Sequence, residues 1–171
     1  MSEKIKHYPG TELESADFKS KKIITINWRP NAKYAWTAGI ALSRYLEELQ
    51  NGRLIGRRCN QCKRVLVPPR MFCEQCFRPT DDWVYVKDTG KINTFSIPYI
   101  DADVNRITTP TPVAVIEIDG ASPGIGILHR LGNVDIKQIK VGMRVRAVWK
   151  APKDREGSVN DILYWEPIKE G

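Results

Sequence analysis

Four cysteines in one short window constrain this chain more than any other feature. They read Cys59-Asn60-Gln61-Cys62, then ten residues, then Cys73-Glu74-Gln75-Cys76. Two residues between paired thiols let both sulfurs of one turn face a single metal ion, and two such turns make a tetrahedral four-sulfur site. The chain has 4 cysteines, so none is left over. Zinc is the expected ion, with Cys59, Cys62, Cys73 and Cys76 as its ligands. Iron also suits four thiolates, which keeps an electron-transfer centre open. Disulfides are disfavoured because the N-terminus, Met1-Ser2-Glu3-Lys4-Ile5-Lys6-His7, carries no apolar stretch before a small-residue cleavage site. Four thiolates leave no open coordination position, so the ion is expected to be structural.

The rest of the chain divides around this module, residues 53–80. A length of 171 residues allows one domain, or two small ones sharing a core. The apolar and charged fractions, 42% and 27%, are those of a globular protein. No apolar run approaches the roughly 18 residues of a membrane span, so a cytoplasmic location is expected. Residues 1–30 read as an arm whose β-prone stretch, Ile23 to Trp28, has no matching strand beside it. Residues 31–52 read as an amphipathic helix, with Asn31 as its N-cap and Asn51-Gly52 ending it. Its apolar stripe is Ala35, Ala38, Leu42, Tyr45, Leu46 and Leu49, widened by Trp36 and Ile40.

Residues 81–171 read as five short strands with turn signals between them. The first is long and bent, from Trp83 to Ile97, with Gly90 at the bend. The others are Val113 to Ile118, Ile125 to Leu131, Arg144 to Lys150 and Ile162 to Trp165. A small antiparallel barrel fits this count; periodicity alone does not separate an OB-fold from an SH3-like barrel. The longest irregular stretch, Pro98 to Thr111, holds Asp101, Asp103, Asn105 and Arg106.

Charge is unevenly placed. Residues 1–58 carry a net +5 and residues 59–80 a net +3, whereas residues 81–171 carry −1. A basic first half attracts nucleic acid, an acidic protein or a phosphorylated small molecule. The near-neutral second half argues against a long phosphate-tracking groove there. Catalytic signals are sparse. His7 lies in the arm. His129 alternates with Ile125, Ile127 and Leu131, as a packed core histidine would. There is no Gly-x-Ser-x-Gly elbow, Gly-rich phosphate loop or His-x-x-x-His pair. Asp81-Asp82 and Asp101/Asp103 read as solvated turn residues. The chain is therefore not expected to be an enzyme by itself.

The order of features resembles one family. A helix precedes Gly52-Arg53-Leu54. The paired knuckle follows, with Pro68-Pro69-Arg70 before its second half. Then come a bent strand with Trp83 and Gly90, and a Val141-Gly142-Met143-Arg144-Val145 turn into a strand. This is similar to the zinc-ribbon plus OB-fold proteins catalogued as domain of unknown function 35, over about residues 31–168. The resemblance implies a mainly β fold: an N-terminal helix, a rubredoxin-like zinc ribbon and a five-stranded OB-fold barrel. It also implies association with enzymes of acyl-CoA and lipid metabolism, including thiolases. In archaea such proteins join an acetoacetyl-CoA thiolase to a hydroxymethylglutaryl-CoA synthase as non-catalytic scaffolds. The family's metal ligands carry over onto Cys59, Cys62, Cys73 and Cys76; no CoA-contacting motif does.

The expected function is a non-catalytic, acyl-CoA-binding adaptor of a thiolase-type enzyme. CoA carries a phosphorylated head, so Arg57, Arg58, Lys63, Arg64 and Arg70 are candidate phosphate contacts. Phe95, Ile97 and Tyr99, with the Pro98–Thr111 loop, are candidates for shielding the rest of the ligand. The alternative is a nucleic-acid-binding protein, since both zinc ribbons and OB-folds serve that role and the pI is near 9.3.

Overall fold

The computed structural model describes residues 13–26, 30–101 and 103–168. The chain forms two units, residues 1–36 and residues 37–171. In the first, α1 (Ser15–Lys19) is a single short helix, started by Glu14, whose N–H donates to Asp17 Oδ2 at 3.1 Å. None of its described residues is buried. Ile23–Ile26 form no strand, and Asn27 and Trp28 of the β-prone stretch lie outside the described residues, as does His7.

The second unit opens with α2 (Gly39–Gln50). Its N-cap is Ala38, seven residues after the expected Asn31. The reason is backbone geometry: Gly39 has φ +64, a conformation that a continuous right-handed helix excludes. Ala35 and Trp36 therefore fall outside the helix. Within it, Ala41, Tyr45 and Leu49 are buried and Leu46 is half-buried, while Ile40 and Leu42 face outward.

Among the described residues eight strands make two antiparallel sheets. The small sheet has the order β2-β1-β3, from β1 (Leu54–Cys59), β2 (Arg64–Leu66) and β3 (Asp82–Val86). The second has the order β6-β5-β4-β7-β8. Its strands are β4 (Thr89–Ser96), β5 (Val113–Ile118), β6 (Gly126–Arg130), β7 (Arg144–Trp149) and β8 (Ile162–Pro167). The sheet closes where Leu131 and Trp165 bridge in parallel, with Gly132 N–H donating to Trp165 O at 2.9 Å. Closure turns it into a five-stranded barrel, the OB-type arrangement.

The long first strand of the sequence reading is in fact two strands in different sheets. Trp83–Val86 pairs with β1 of the small sheet, Leu54 opposite Val86 and Arg57 opposite Trp83. Only from Thr89 does the chain enter the barrel. Gly90 sits where β4 is paired on both sides, opposite Ile118 and Val145. A Cβ there would run into the Glu117 carbonyl, so a side chain would force the strands apart.

Alternation explains the barrel core. On β5, Ala114, Ile116 and Ile118 are buried, with half-exposed residues between them; on β7, Val145 and Ala147 point inward. Trp165 is fully buried at the centre. The small sheet joins this core through Leu54, Ile55, Leu66 and Val67, with Leu49 of α2. The outer edge of β2 is tied down as well. Val65 N–H donates to Ser122 Oγ at 2.8 Å, and Ser122 N–H donates back to Val65 O at 3.0 Å. An edge satisfied in this way is closed to further strand pairing. Among the described residues no helix is long and apolar enough to cross a membrane.

Candidate metal centre

The sheet delivers the first sulfur, because β1 ends at Cys59. The chain reverses through Asn60–Lys63 and returns as β2. Lys63 takes φ +57, the left-handed conformation that glycine adopts most easily. The second knuckle repeats the device with Phe77 at φ +54, again just after the second cysteine. There Cys73 N–H donates to Arg78 O at 2.8 Å and Phe77 N–H to Cys73 O at 2.9 Å. Phe72 and Pro79 form a bridge that closes the knuckle's base.

The four cysteine sulfurs lie within 4.8 Å of one another, and those of Cys59 and Cys76 are 3.6 Å apart. A zinc–sulfur bond of about 2.3 Å places the corners of a regular tetrahedron about 3.8 Å apart. The donor set therefore fits Zn²⁺. Cys59 and Cys73 are buried, and Cys62 and Cys76 half-buried, as a closed structural site requires. The main-chain N–H groups of Cys76 and Gln75 hold the Cys73 thiol down to about 6. The neighbouring Cys76 thiol, together with burial, pushes Cys62 up to about 12. Four thiols this close cannot all ionise without a cation among them; a dication supplies that charge.

The knuckles are held by residues that the sequence reading assigned to solvated turns. Asp81 accepts from Asn60 N–H at 2.6 Å, and Asp82 accepts from the Asn60 side-chain amide at 2.9 Å. Arg78 donates to Gln61 Oε1 at 2.7 Å. Asp81 and Asp82 thus clamp the first metal turn. Their signal in the sequence is too weak to find, since an acidic pair after a loop looks the same wherever it points.

The candidate CoA contacts separate into distinct groups. Arg57 is 8% exposed, so it is not a surface phosphate ligand. Its Nε donates to Thr80 Oγ1 at 2.9 Å, another of its guanidinium N–H groups donates to the Thr80 carbonyl, and the guanidinium stacks 4.7 Å from the centre of the Trp83 ring. Strand alternation buried it, and Thr80 satisfied it. Arg64 and Arg70 converge on Glu74, at 2.7 and 3.4 Å. Arg58 and Lys63 are exposed and pair with no acidic side chain among the described residues. Phe95 is half-buried against the barrel core, and Tyr99 is 55% exposed in the following loop. No hydrogen bond or ring contact links either to the ribbon cations among the described residues. Within that loop Asp101 accepts from the N–H groups of Asp103 and Asn105, at 2.9 and 2.8 Å, so it organises the turn. His129 is half-buried rather than packed in the core.

Two adjoining family descriptions match the chain: the rubredoxin-like zinc ribbon domain of ChsH2 over residues 46–82, and the C-terminal OB-fold domain of ChsH2 over residues 83–150. A curated relative from Methanothermobacter thermautotrophicus, named a DUF35 domain-containing scaffold protein, is 26% identical over 116 residues, covering 67% of this chain and 84% of the relative. A crystal structure of a DUF35 protein of unknown function from Sulfolobus solfataricus is 28% identical, with a TM-score of 0.54. That match covers 64% of this chain and 78% of the other. A structure described as the Ltp2-ChsH2(DUF35) aldolase matches with a TM-score of 0.56 and 21% identity, over 79% of this chain and 98% of that one, which supports the fold alone. Sequence, ribbon geometry and barrel topology agree with these matches, and the chain belongs to the DUF35 family of zinc-ribbon plus OB-fold proteins.

Proposed function

We propose that this protein is a non-catalytic adaptor in acyl-CoA metabolism. In this reading it holds a thiolase-type enzyme, with a hydroxymethylglutaryl-CoA synthase as a second partner, and takes part in binding the acyl-CoA. Its zinc ion is structural, and it works in the cytoplasm. The observation that carries the reading is apolar surface that the first unit does not cover by itself. In the first unit Ile24, Ile26, Tyr34 and Trp36 are 93%, 87%, 77% and 85% exposed. Each large apolar side chain moved out of water contributes about 1.5–3 kcal/mol, so a surface of this kind favours being covered by a partner. The name of the curated relative, a scaffold protein, supports the same reading. Arg58 and Lys63 are the ribbon cations best placed to meet CoA phosphates, being exposed and without acidic partners among the described residues.

The test is co-purification of the tagged full chain with and without the double substitution Ile24→Asp and Trp36→Asp. The parent chain is expected to bring down a thiolase-type enzyme, and the double variant to lose it while keeping its zinc. An acyl-CoA enzyme that stays bound to the double variant moves the interface elsewhere. Recovery of nuclease-sensitive nucleic acid in its place supports the binding-module alternative.

A further inference from the structure

Between α2, the Val67-Pro68 turn and the barrel lies a recess of about 230 Å³. Its floor is buried and mainly apolar: Leu49, Ile162 and Tyr45 are 0%, 2% and 4% exposed. Its rim is apolar and open: Leu128 is 70% exposed and Val159 is 56% exposed. The polar side chains in its lining are Tyr45 and His129. Among the described residues His129 is held only by long contacts to main-chain carbonyls, 3.3 Å to Arg130 O and 3.5 Å to Val159 O. Four other recesses are each lined by charged side chains, such as Arg146 with Glu166 or Arg53 with Asp88, and would reject an alkyl group.

The dimensions select the occupant. The recess equals the liquid volume of roughly seven or eight waters. One turn of a helix with its side chains, about 10–12 Å across and 5.4 Å long, fills more than about 400 Å³ and exceeds it. A short aliphatic chain entering end-on fits, with its apolar length against Leu49 and Ile162 and its polar end near His129. We propose that this recess is the site for the acyl group of a short-chain acyl thioester. The inference rests on the acyl-CoA reading above and places the acyl end here, away from Phe95 and Tyr99.

The experiment is calorimetric titration of the zinc-loaded full chain with CoA, acetyl-CoA, butyryl-CoA and hexanoyl-CoA. Binding is expected to tighten by up to about fourfold for each methylene buried, and to level off once the recess is full. Val159→Trp, which fills the recess from its rim, should flatten that slope. Leu128→Trp serves as a second blocking variant on the exposed lip, and the zinc content and circular dichroism of each variant report that it has folded. Equal affinity for CoA and all the acyl-CoAs, or a slope unchanged in both folded variants, overturns the inference and leaves the acyl-CoA reading standing. Failure of CoA and every acyl-CoA to bind overturns both.

Discussion

Asp161 is fully buried, yet its carboxylate is the hub of the loop between β7 and β8. It accepts from the main-chain N–H groups of Glu156, Gly157 and Ser158, at 3.0, 2.8 and 3.0 Å, and Lys150 Nζ lies 3.6 Å away. Burial alone would raise its pKa, but the N–H groups of Ser158, Glu156 and Gly157 outweigh it and the net shift is downward. The charged form is therefore the one the fold selects. Asp161→Ala leaves three main-chain donors unsatisfied, each costing about 1–3 kcal/mol when buried. These donors are only part-buried, and water entering the vacated space offsets some of that cost, so a loss of about 3 kcal/mol is expected. For a chain of this size that lowers the melting temperature by about 6–12 °C. The loop packs on α2 through Gln50, whose amide donates to the Arg155 carbonyl, so the damage should spread to the helix. The assay is urea and thermal unfolding of the zinc-loaded variant and parent, followed by circular dichroism. A loss below about 1 kcal/mol, with zinc content unchanged, would refute the argument that the carboxylate organises this loop.

Three further outcomes are expected. Phe77→Gly should stabilise the ribbon by about 1 kcal/mol, because it relieves a left-handed backbone. Phe77 is 85% exposed and loses little packing, so a drop in melting temperature would contradict this. Cys73→Ser, or chelation of the parent, should remove the metal and unfold residues 53–80, read as loss of amide protection there, since structural zinc contributes on the order of 10–16 kcal/mol in small modules; retained protection would show that the ribbon holds without its ion. Arg144 holds the Asp119 carboxyl down to about 2 from its ordinary 3.8, with Thr89 assisting against burial. That contribution is fully present above about pH 4 and is lost as pH falls toward 2; solvent screening of the half-exposed Arg144 limits it to about 1 kcal/mol. The stability gap between parent and Asp119→Asn should therefore close over that interval, and a gap independent of pH would refute the pairing. Zinc loss in acid affects both proteins alike and drops out of the difference.

The sequence made the metal ligands and the barrel legible because both rest on spacing. Cys-x-x-Cys pairs and period-two alternation are local patterns that need no knowledge of distant partners. Strand partnership is not local. Trp83–Val86 looks continuous with Ile92–Ser96, yet it pairs with Leu54–Arg58, which lies across the whole ribbon in sequence. The start of α2 was hidden for a related reason: Ala35 and Trp36 continue the stripe, and one left-handed Gly39 ends it. Arg57 shows the limit for site residues. A basic cluster reads as surface charge, and only the sheet reveals that alternate members face opposite ways. Arg57 is buried on Trp83 and Thr80, while Arg58 remains exposed. The clamps on the first knuckle, Asp81 and Asp82, were invisible because their partner, Asn60, lies some twenty residues earlier.

The most direct measurement is the intact mass of the complex that the tagged full chain forms in its source cells, isolated at moderate salt, with each component identified by mass spectrometry. The adaptor account predicts a thiolase-type enzyme in near-stoichiometric amount and one zinc ion per copy of this chain. A chain recovered without any acyl-CoA enzyme, and carrying nuclease-sensitive nucleic acid, would contradict it.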